Sequence, residues 1–133
     1  MRRKFLISIC VVIFLFTPVF ASANVVINEV KISGGSGKST DEFIELYNSS
    51  EAPVEVNDWK IYKFTKKPDS AIDKTLIVQL PGYYTMSPFS YFLLAHELFV
   101  TTTDTDVPDV TYSGTGGASL ASDNTVLLCK AEE

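Results

Sequence analysis

Apolar and polar residues alternate through most of this chain, most clearly between Asp41 and Lys60, which reads DEFIELYNSSEAPVEVNDWK. A period of two is typical of a strand that buries one face and exposes the other to water. Ile44 and Leu46 are therefore predicted to face the core. The polar residues of the same run are predicted to face solvent, and these are Glu42, Glu45 and Tyr47.

Turn residues end this strand and introduce two more. The side chains of Asn48 to Ser50 bond readily to nearby backbone, and Pro53 prevents a helix across the segment. A second strand is predicted over Val54 to Val56, and a third begins after Trp59. Asn48 to Ser50 also form an N-glycosylation acceptor, which is used only where the cell has the machinery.

Further short apolar runs, separated by glycine, proline and polar turns, predict the remaining strands. In the first of them Val26, Val30 and Ile32 are expected on one face, opposite Glu29 and Lys31. Helical periodicity is nowhere sustained in the chain after residue 23. About seven or eight short strands at regular spacing predict an all-β sandwich. The remaining runs are Val25 to Ile32, Lys60 to Phe64, Thr75 to Leu80, Tyr91 to His96, which is expected to be buried on both faces, Val110 to Tyr112, and Thr125 to Cys129.

The N-terminus is predicted to be a secretory signal peptide over residues 1–23. Arg2 to Lys4 precede an uncharged apolar run from Phe5 to Phe20, and small residues then lead to a cleavage site after Ala23. An uncleaved membrane anchor is disfavoured because the run is shorter than the roughly 20 residues that a spanning helix needs, and Pro18 lies near its end. Of the 133 residues, 110 would remain as one domain over 24–133, with no membrane span after cleavage.

The charge balance argues against nucleic acid as a partner. Cleavage would remove three of the 11 basic residues and none of the 16 acidic ones, so the net charge would change from −5 to −8. Proteins that bind phosphate backbones use an excess of Lys and Arg, and here the excess is acidic. The basic cluster Lys60, Lys63, Lys66 and Lys67 is predicted to be a solvated strand and hairpin rim, with an acidic local partner as the alternative.

Cysteine usage excludes a disulfide-dense or zinc module. Cys10 lies in the predicted signal peptide, so Cys129 is the lone thiol afterwards and no internal disulfide is possible. Because Cys129 lies in an apolar run, it is predicted to be a buried small hydrophobic residue.

Two loop motifs resemble ligand sites but lack necessary parts. Gly37 to Ser39 resembles the end of a phosphate-binding loop, but Ile32 stands where the first glycine is needed and a strand follows instead of a helix. Asp104, Asp106 and Asp109 have a spacing that suits Ca²⁺, but the glycine-centred loop and its distant glutamate are missing. No cofactor or metal site is predicted.

Candidate catalytic residues are equally sparse. Glu29, Glu42 and Glu45 would form a carboxylate site if they shared one sheet face, although strand acids are more often only solvated. His96 is the sole histidine and is interpreted as the polar end of a core strand, and no G-x-S-x-G motif is present. No catalytic residue is predicted.

The order of motifs resembles the lamin-tail domain family across nearly all of residues 24–133. The matching blocks are VVINEVKISG, DEFIELYNSS, VEVNDWKIY, PGYYTMSPFSYFLLA and NTVLL, and the most specific parts are Ile27 to Glu29, Glu42 to Asn48 and Trp59. This resemblance implies an immunoglobulin-like β-sandwich that acts as a binding or anchoring module. It supplies no active-site residue.

The resemblance also implies an exported copy of the bacterial type and a particular departure at the C-terminus. The family continues after its NTVLL-like strand with an aspartate-glycine turn and another short strand, whereas this chain ends at Glu133. The domain is expected either to lack its last edge strand or to be a fragment. In both cases an open sheet edge is expected near Val126 to Leu128.

These observations predict an exported, non-catalytic module that binds a protein or a cell-envelope ligand. The binding surface is expected to be that open edge, or the loops Ser33 to Thr40 and Thr101 to Asp109. The alternative is an accessory domain of a larger secreted hydrolase, such as a nuclease or phosphatase, with its catalytic domain encoded beyond Glu133.

Overall fold

Nine strands and no helix make up the part of the chain that the structure describes. The structure is a computed structural model, and it describes residues 25–32, 40–99, 107–114 and 119–131. Within these residues no helix is long and apolar enough to span a membrane. The strands are β1 Val25–Lys31, β2 Phe43–Asn48, β3 Val54–Glu55, β4 Lys60–Lys66, β5 Ile72–Gln79, β6 Thr85–Met86, β7 Tyr91–His96, β8 Val110–Tyr112 and β9 Asn124–Cys129.

The strands form two main sheets and a short ribbon. One sheet has the order β1-β2-β7-β8, the other has the order β5-β4-β9, and β3 pairs with β6. All pairings are antiparallel except that of β7 with β8, which is parallel. The predicted all-β, immunoglobulin-like sandwich is confirmed.

Alternate residues of the central strands build the core between the sheets. Ile44 and Leu46 of β2 and Phe92 of β7 are completely buried on one side, and Ile61 of β4 is completely buried on the other. Trp59 joins the same cluster from the turn before β4. A period-two strand with one apolar face buries its large side chains in this way, as the sequence predicts for Ile44 and Leu46.

A β-bulge in β1 changes which of its residues face the core. The register with β2 shifts between Ile27 and Glu29. Before the bulge, Ile27 packs against the core, whereas Val26 is 44% exposed on the outer face. After it, Val30 lies opposite the buried Ile44. The expectation that Val26 and Val30 share a face is wrong, because the extra residue inverts the alternation.

Two other expectations differ from the structure in detail. No strand is predicted between Thr75–Leu80 and Tyr91–His96, but the structure has the two-residue strand β6 there. β7 is not buried on both faces along its length, since Tyr91 is exposed while Ala95 is completely buried. Both differences arise from neighbours that local patterning does not reveal: β3 pairs with β6, and Tyr91 lies on the outer face opposite Tyr47.

Candidate functional site

The three glutamates considered as a carboxylate site lie on opposite faces of the four-stranded sheet. Glu29 and Glu45 are opposite each other in the β1–β2 register, on the outer face. Glu42 has 0% exposure, so its predicted solvent position is wrong. The period of two itself places Glu42 on the same face as Ile44 and Leu46. The solvent position is predicted only because the residue is acidic. The structure therefore does not bring the three carboxylates together.

The buried carboxylate of Glu42 is satisfied by two donors. Its Oε2 accepts a hydrogen bond of 2.9 Å from the backbone N–H of Leu120, and its Oε1 accepts one of 3.4 Å from the hydroxyl of Tyr112. Burial, then the negative charge of Glu42, then the hydrogen bond to it, raise the pKa of Tyr112 above the ordinary 10.0. Glu42 thus holds two later segments of the chain against the end of the core.

Lys63 is buried on the other sheet, contrary to the prediction of a solvated rim. It is 8% exposed, because β4 alternates and Lys63 follows Ile61 on the inner face. Its ammonium group donates to the backbone carbonyl of Ser119. Lys63 from one sheet and Glu42 from the other therefore bind adjacent residues of one segment, Ser119 and Leu120. This segment closes one end of the sandwich.

His96 lies buried at the end of β7, where the sequence places the polar end of a core strand. The backbone N–H groups of Leu98 and Gly114 point at its two ring nitrogens, at 3.0 Å from Nδ1 and 3.1 Å from Nε2. A Cβ added to Gly114 would lie 2.6 Å from Nε2, so this close approach requires glycine. A neutral imidazole accepts through one nitrogen at a time, and both nitrogens face backbone donors here. The ring is positioned to hold two loops together.

Asn48 is completely buried at the opposite end of β2 from Glu42, and its amide group is fully used. Its Nδ2 donates to the carbonyls of Ala52 and Ser87, each at 2.9 Å, and to that of Met86 at 3.4 Å. Its Oδ1 accepts from the backbone N–H and the hydroxyl of Ser50. Glycosylation needs a free amide on the surface, so the folded domain does not present Asn48 as an acceptor.

The candidate loop sites gain no support as ligand sites. Gly37 to Ser39, Asp104 and Asp106 lie outside the described residues. Asp109 is used within the fold, since its carboxylate accepts from the backbone N–H of Leu93 at 2.8 Å and from the hydroxyl of Tyr84 at 3.1 Å. Burial, followed by the charge of Asp109 and its hydrogen bond, raises the pKa of Tyr84. Within the described ranges, no three side chains of His, Cys, Asp or Glu are grouped as metal ligands.

The outer face of the four-stranded sheet carries a row of apolar and aromatic side chains, here called the tyrosine face. Val26, Tyr47 and Tyr91 lie opposite one another on β1, β2 and β7. The two tyrosine rings are 4.7 Å apart at their centroids, and Tyr91 is 57% exposed. The next row along this face carries Glu29 and Glu45. A contiguous exposed patch of this kind, with polar neighbours, is typical of an interaction surface.

The outer face of the three-stranded sheet carries a groove of about 450 Å³, here called the lysine groove. Its charged side chains come from distant points in the chain, so the sequence cluster around Lys60 identified only one of them. The half-buried thiol of Cys129 also lines it, which corrects the prediction of full burial. The lining residues are Asp58, Lys60, Tyr62, Lys74, Cys129, Lys130 and Ala131.

The last strand, β9, has a sheet neighbour on one side only in the part of the chain that the structure describes. It pairs with β4 from Asn124 to Cys129. This arrangement agrees with the open edge expected near Val126 to Leu128. An edge strand of this kind carries backbone groups that another chain can pair with.

Comparison with known proteins identifies one family. The family described as Lamin Tail Domain matches residues 18–133. No curated protein matches the chain. The family match spans every residue that the structure describes, including both outer faces and both buried polar ends of β2.

Proposed function

Because this chain belongs to the Lamin Tail Domain family, we propose that it is an exported, non-catalytic module that binds a protein partner at the cell envelope. The family is a non-enzymatic immunoglobulin-like domain and is generally a protein-interaction module. We propose the tyrosine face as the surface that makes the contact.

One observation carries this proposal, the alignment of Val26, Tyr47 and Tyr91 across three neighbouring strands. Tyrosines contribute strongly to binding because a rigid ring buries a large area while its hydroxyl keeps a polar contact. The rigid strands beneath this row reduce the entropy lost on binding. The pleated sheet thus presents a patch that is already in its binding conformation.

The neighbouring carboxylates suggest the chemistry of the partner. Glu29 and Glu45 lie directly opposite each other, and the Nδ2 of Asn28 donates to Glu45 at 2.7 Å. Like charges opposite each other in a sheet are unfavourable, and a basic group from a partner would relieve that repulsion. We therefore expect a partner surface that combines apolar groups with Lys or Arg.

Capture from the envelope fraction of the producing organism tests the proposal. Tyr91→Ser is expected to reduce the amount of captured partner about tenfold or more, as for a central interface residue. Tyr83→Ser is the matched control, because Tyr83 is 87% exposed but lies in a turn outside the tyrosine face. Thermal unfolding of all proteins would check that each variant is folded.

Two results would contradict this assignment. Equal losses for Tyr83→Ser and Tyr91→Ser would show that tyrosine content matters and its position does not. Full capture by Tyr91→Ser would place the contact elsewhere on the domain. Failure of the wild-type protein to capture any partner reproducibly would count against the binding function itself.

Export has its own test. The N-terminal sequence of the protein recovered outside the cytoplasm is expected to begin at Asn24, after removal of the apolar run by signal peptidase. Recovery of the intact chain from Met1 in the membrane fraction would instead indicate an uncleaved anchor.

A further inference from the structure

Three ammonium groups converge on the lysine groove from three different places in the sequence. Lys60 begins β4, Lys74 belongs to β5 and Lys130 follows β9. All three line the same groove of about 450 Å³, together with Tyr62. Positive charge is thus concentrated on one face of a chain whose formal net charge is −5.

Aromatic rings position two of these groups without neutralising them. The Nζ of Lys74 lies 3.9 Å from the centroid of the Tyr62 ring, and that of Lys130 lies 5.4 Å from the Trp59 ring. A ring attracts the cation through its π face, while the other sides of the ammonium group stay open to an anion. The lysine groove is therefore partly organised for a negatively charged ligand.

Two other lysines in the described part of the chain have carboxylate partners, whereas those of the groove do not. Lys31 pairs with Asp41 at 3.0 Å, and Lys67 pairs with Asp73 at 3.5 Å. Among the described residues, no ion pair is formed by Lys60, Lys74 or Lys130. The one acid in the lining, Asp58, accepts a hydrogen bond of 2.9 Å from Gln79.

An apolar row continues from the groove across the same face. Tyr62 lies opposite Leu76 on one side and Leu127 on the other, and each leucine is 44% exposed. A polymer made only of anionic groups would leave these leucines in water. A segment with both acidic and apolar side chains would cover them while its carboxylates meet the lysines.

We propose that the lysine groove and the row Leu76–Tyr62–Leu127 form a docking site for an acidic, partly apolar segment of another protein. The proposal is independent of the tyrosine face, which lies on the opposite sheet. The negative net charge of the domain does not prevent binding, because at physiological salt the Debye length is about 8 Å and contacts within the groove dominate. The affinity is expected to fall as salt rises.

The protein is expressed from its full sequence, including its own N-terminal segment, and purified. The test measures how tightly it binds a capped peptide of alternating Glu and Val. Isothermal titration would give the affinity, and amide NMR shifts would locate the site. We expect shifts concentrated in β4, β5, β9 and Lys130. A Glu and Ser peptide of equal charge should bind more weakly, because it lacks the apolar groups.

A pair of double variants separates the groove from net charge. Lys74→Gln with Lys130→Gln removes two groove charges and should weaken peptide binding about tenfold, because each exposed charge pair that is lost weakens binding a few-fold. Lys66→Gln with Lys67→Gln removes two charges outside the groove and should weaken it about twofold or less. Equal losses in both double variants would overturn the proposal.

Other outcomes also decide the question. Tighter binding of a polyphosphate chain than of the Glu and Val peptide would show that the groove selects phosphate polymers, against the proposal. Equal affinity for the Glu and Ser peptide would show that Leu76 and Leu127 take no part. Binding of the Glu and Val peptide that survives in the Tyr91→Ser variant would support a site separate from the tyrosine face.

Discussion

The two ends of β2 are both polar and both buried, but they are stabilised by different chemistry. At one end, the carboxylate of Glu42 accepts from Tyr112 and Leu120, which belong to segments far along the chain. At the other end, the neutral amide of Asn48 binds the turn that follows it and the connection after β6. The core between them is apolar. The strand β2 therefore has hydrogen bonds to a charged carboxylate at one end and to a neutral amide at the other.

The difference teaches how each end responds to change. Breaking a hydrogen bond to a buried carboxylate costs more stability than breaking one to a buried neutral group, because the charge is held away from water. Loss of the hydroxyl proton of Tyr112, whose pKa is raised, would remove one hydrogen bond at the Glu42 end. The hydrogen bonds of the Asn48 amide involve no titratable side chain. We therefore expect the stability of the Glu42 end to depend on charge and pH, and the stability of the Asn48 end to depend only on packing and neutral hydrogen bonds.

The largest effect is expected from Glu42→Ala. The variant leaves the N–H of Leu120 and the hydroxyl of Tyr112 without their acceptor and opens a cavity, so the free energy of unfolding should fall by about 3–5 kcal/mol. Urea denaturation measures this change. Hydrogen exchange should show the loss of protection at Leu120 and β8, with β3 and β6 little affected. A loss below about 1 kcal/mol would contradict the assigned role of Glu42.

Asn48→Ala should have the next largest effect, a loss of about 2–3 kcal/mol, because it leaves several neutral buried groups unpaired. Increased hydrogen exchange is expected in residues 49–52 and 86–90, at the opposite end from that of the Glu42 variant. The variant also removes the bond from the Nδ2 of Asn48 to the carbonyl of Ser87, in the connection that leads to Tyr91, so partner capture through the tyrosine face should also weaken. Loss of protection at Leu120 instead would show that the two ends are not separate.

Tyr112→Phe should cost about 1 kcal/mol at neutral pH, since it removes one hydrogen bond and keeps the ring. Its main effect is on pH dependence. The pKa of Tyr112 is raised in the folded state, so the unfolded chain loses this proton first and stability falls as pH rises above about 10. As pH rises above about 10, the free energy of unfolding should fall less steeply in the variant than in the wild type. The difference in slope should be up to about 1.4 kcal/mol per pH unit. Urea denaturation at increasing pH measures the difference.

The Asn48→Ala variant is the control for that titration. Because it leaves Tyr112 and Glu42 in place, its stability should fall with alkaline pH as steeply as that of the wild type. An equal reduction of slope in Asn48→Ala and Tyr112→Phe would mean that the slope does not come from Tyr112. Tyr84, whose pKa is also raised, accounts for some of the slope that remains in Tyr112→Phe.

The strands and their fold class could be predicted from local patterning, whereas several side-chain environments could not. Alternation places Ile44 and Leu46 in the core correctly. It also places Glu42 and Lys63 on inner faces, whereas their charged side chains favour a solvent position. The rule that acids and lysines face water fails when backbone groups from elsewhere satisfy them. Ser119 and Leu120 supply those groups, and no local pattern indicates it.

The candidate surfaces depend even more on tertiary structure. The sequence predicts binding through loops or a free edge, and it does not predict the row of Val26 and the two tyrosines. That row exists because the β1 bulge turns Val26 outward and because β2 lies between β1 and β7. Lys74 and Lys130 are likewise distant in sequence from Lys60, and their grouping follows from the β5-β4-β9 order.

By itself, the sequence determined the all-β class, the approximate position of most of the strands that the structure describes, the apolar centre of the core and the family. These properties follow from periodicity and turn chemistry, which act over a few residues. The tertiary structure alone decided which polar groups are buried and paired, and which exposed residues share a surface. Those properties depend on strand order and register, which join residues that are far apart along the chain.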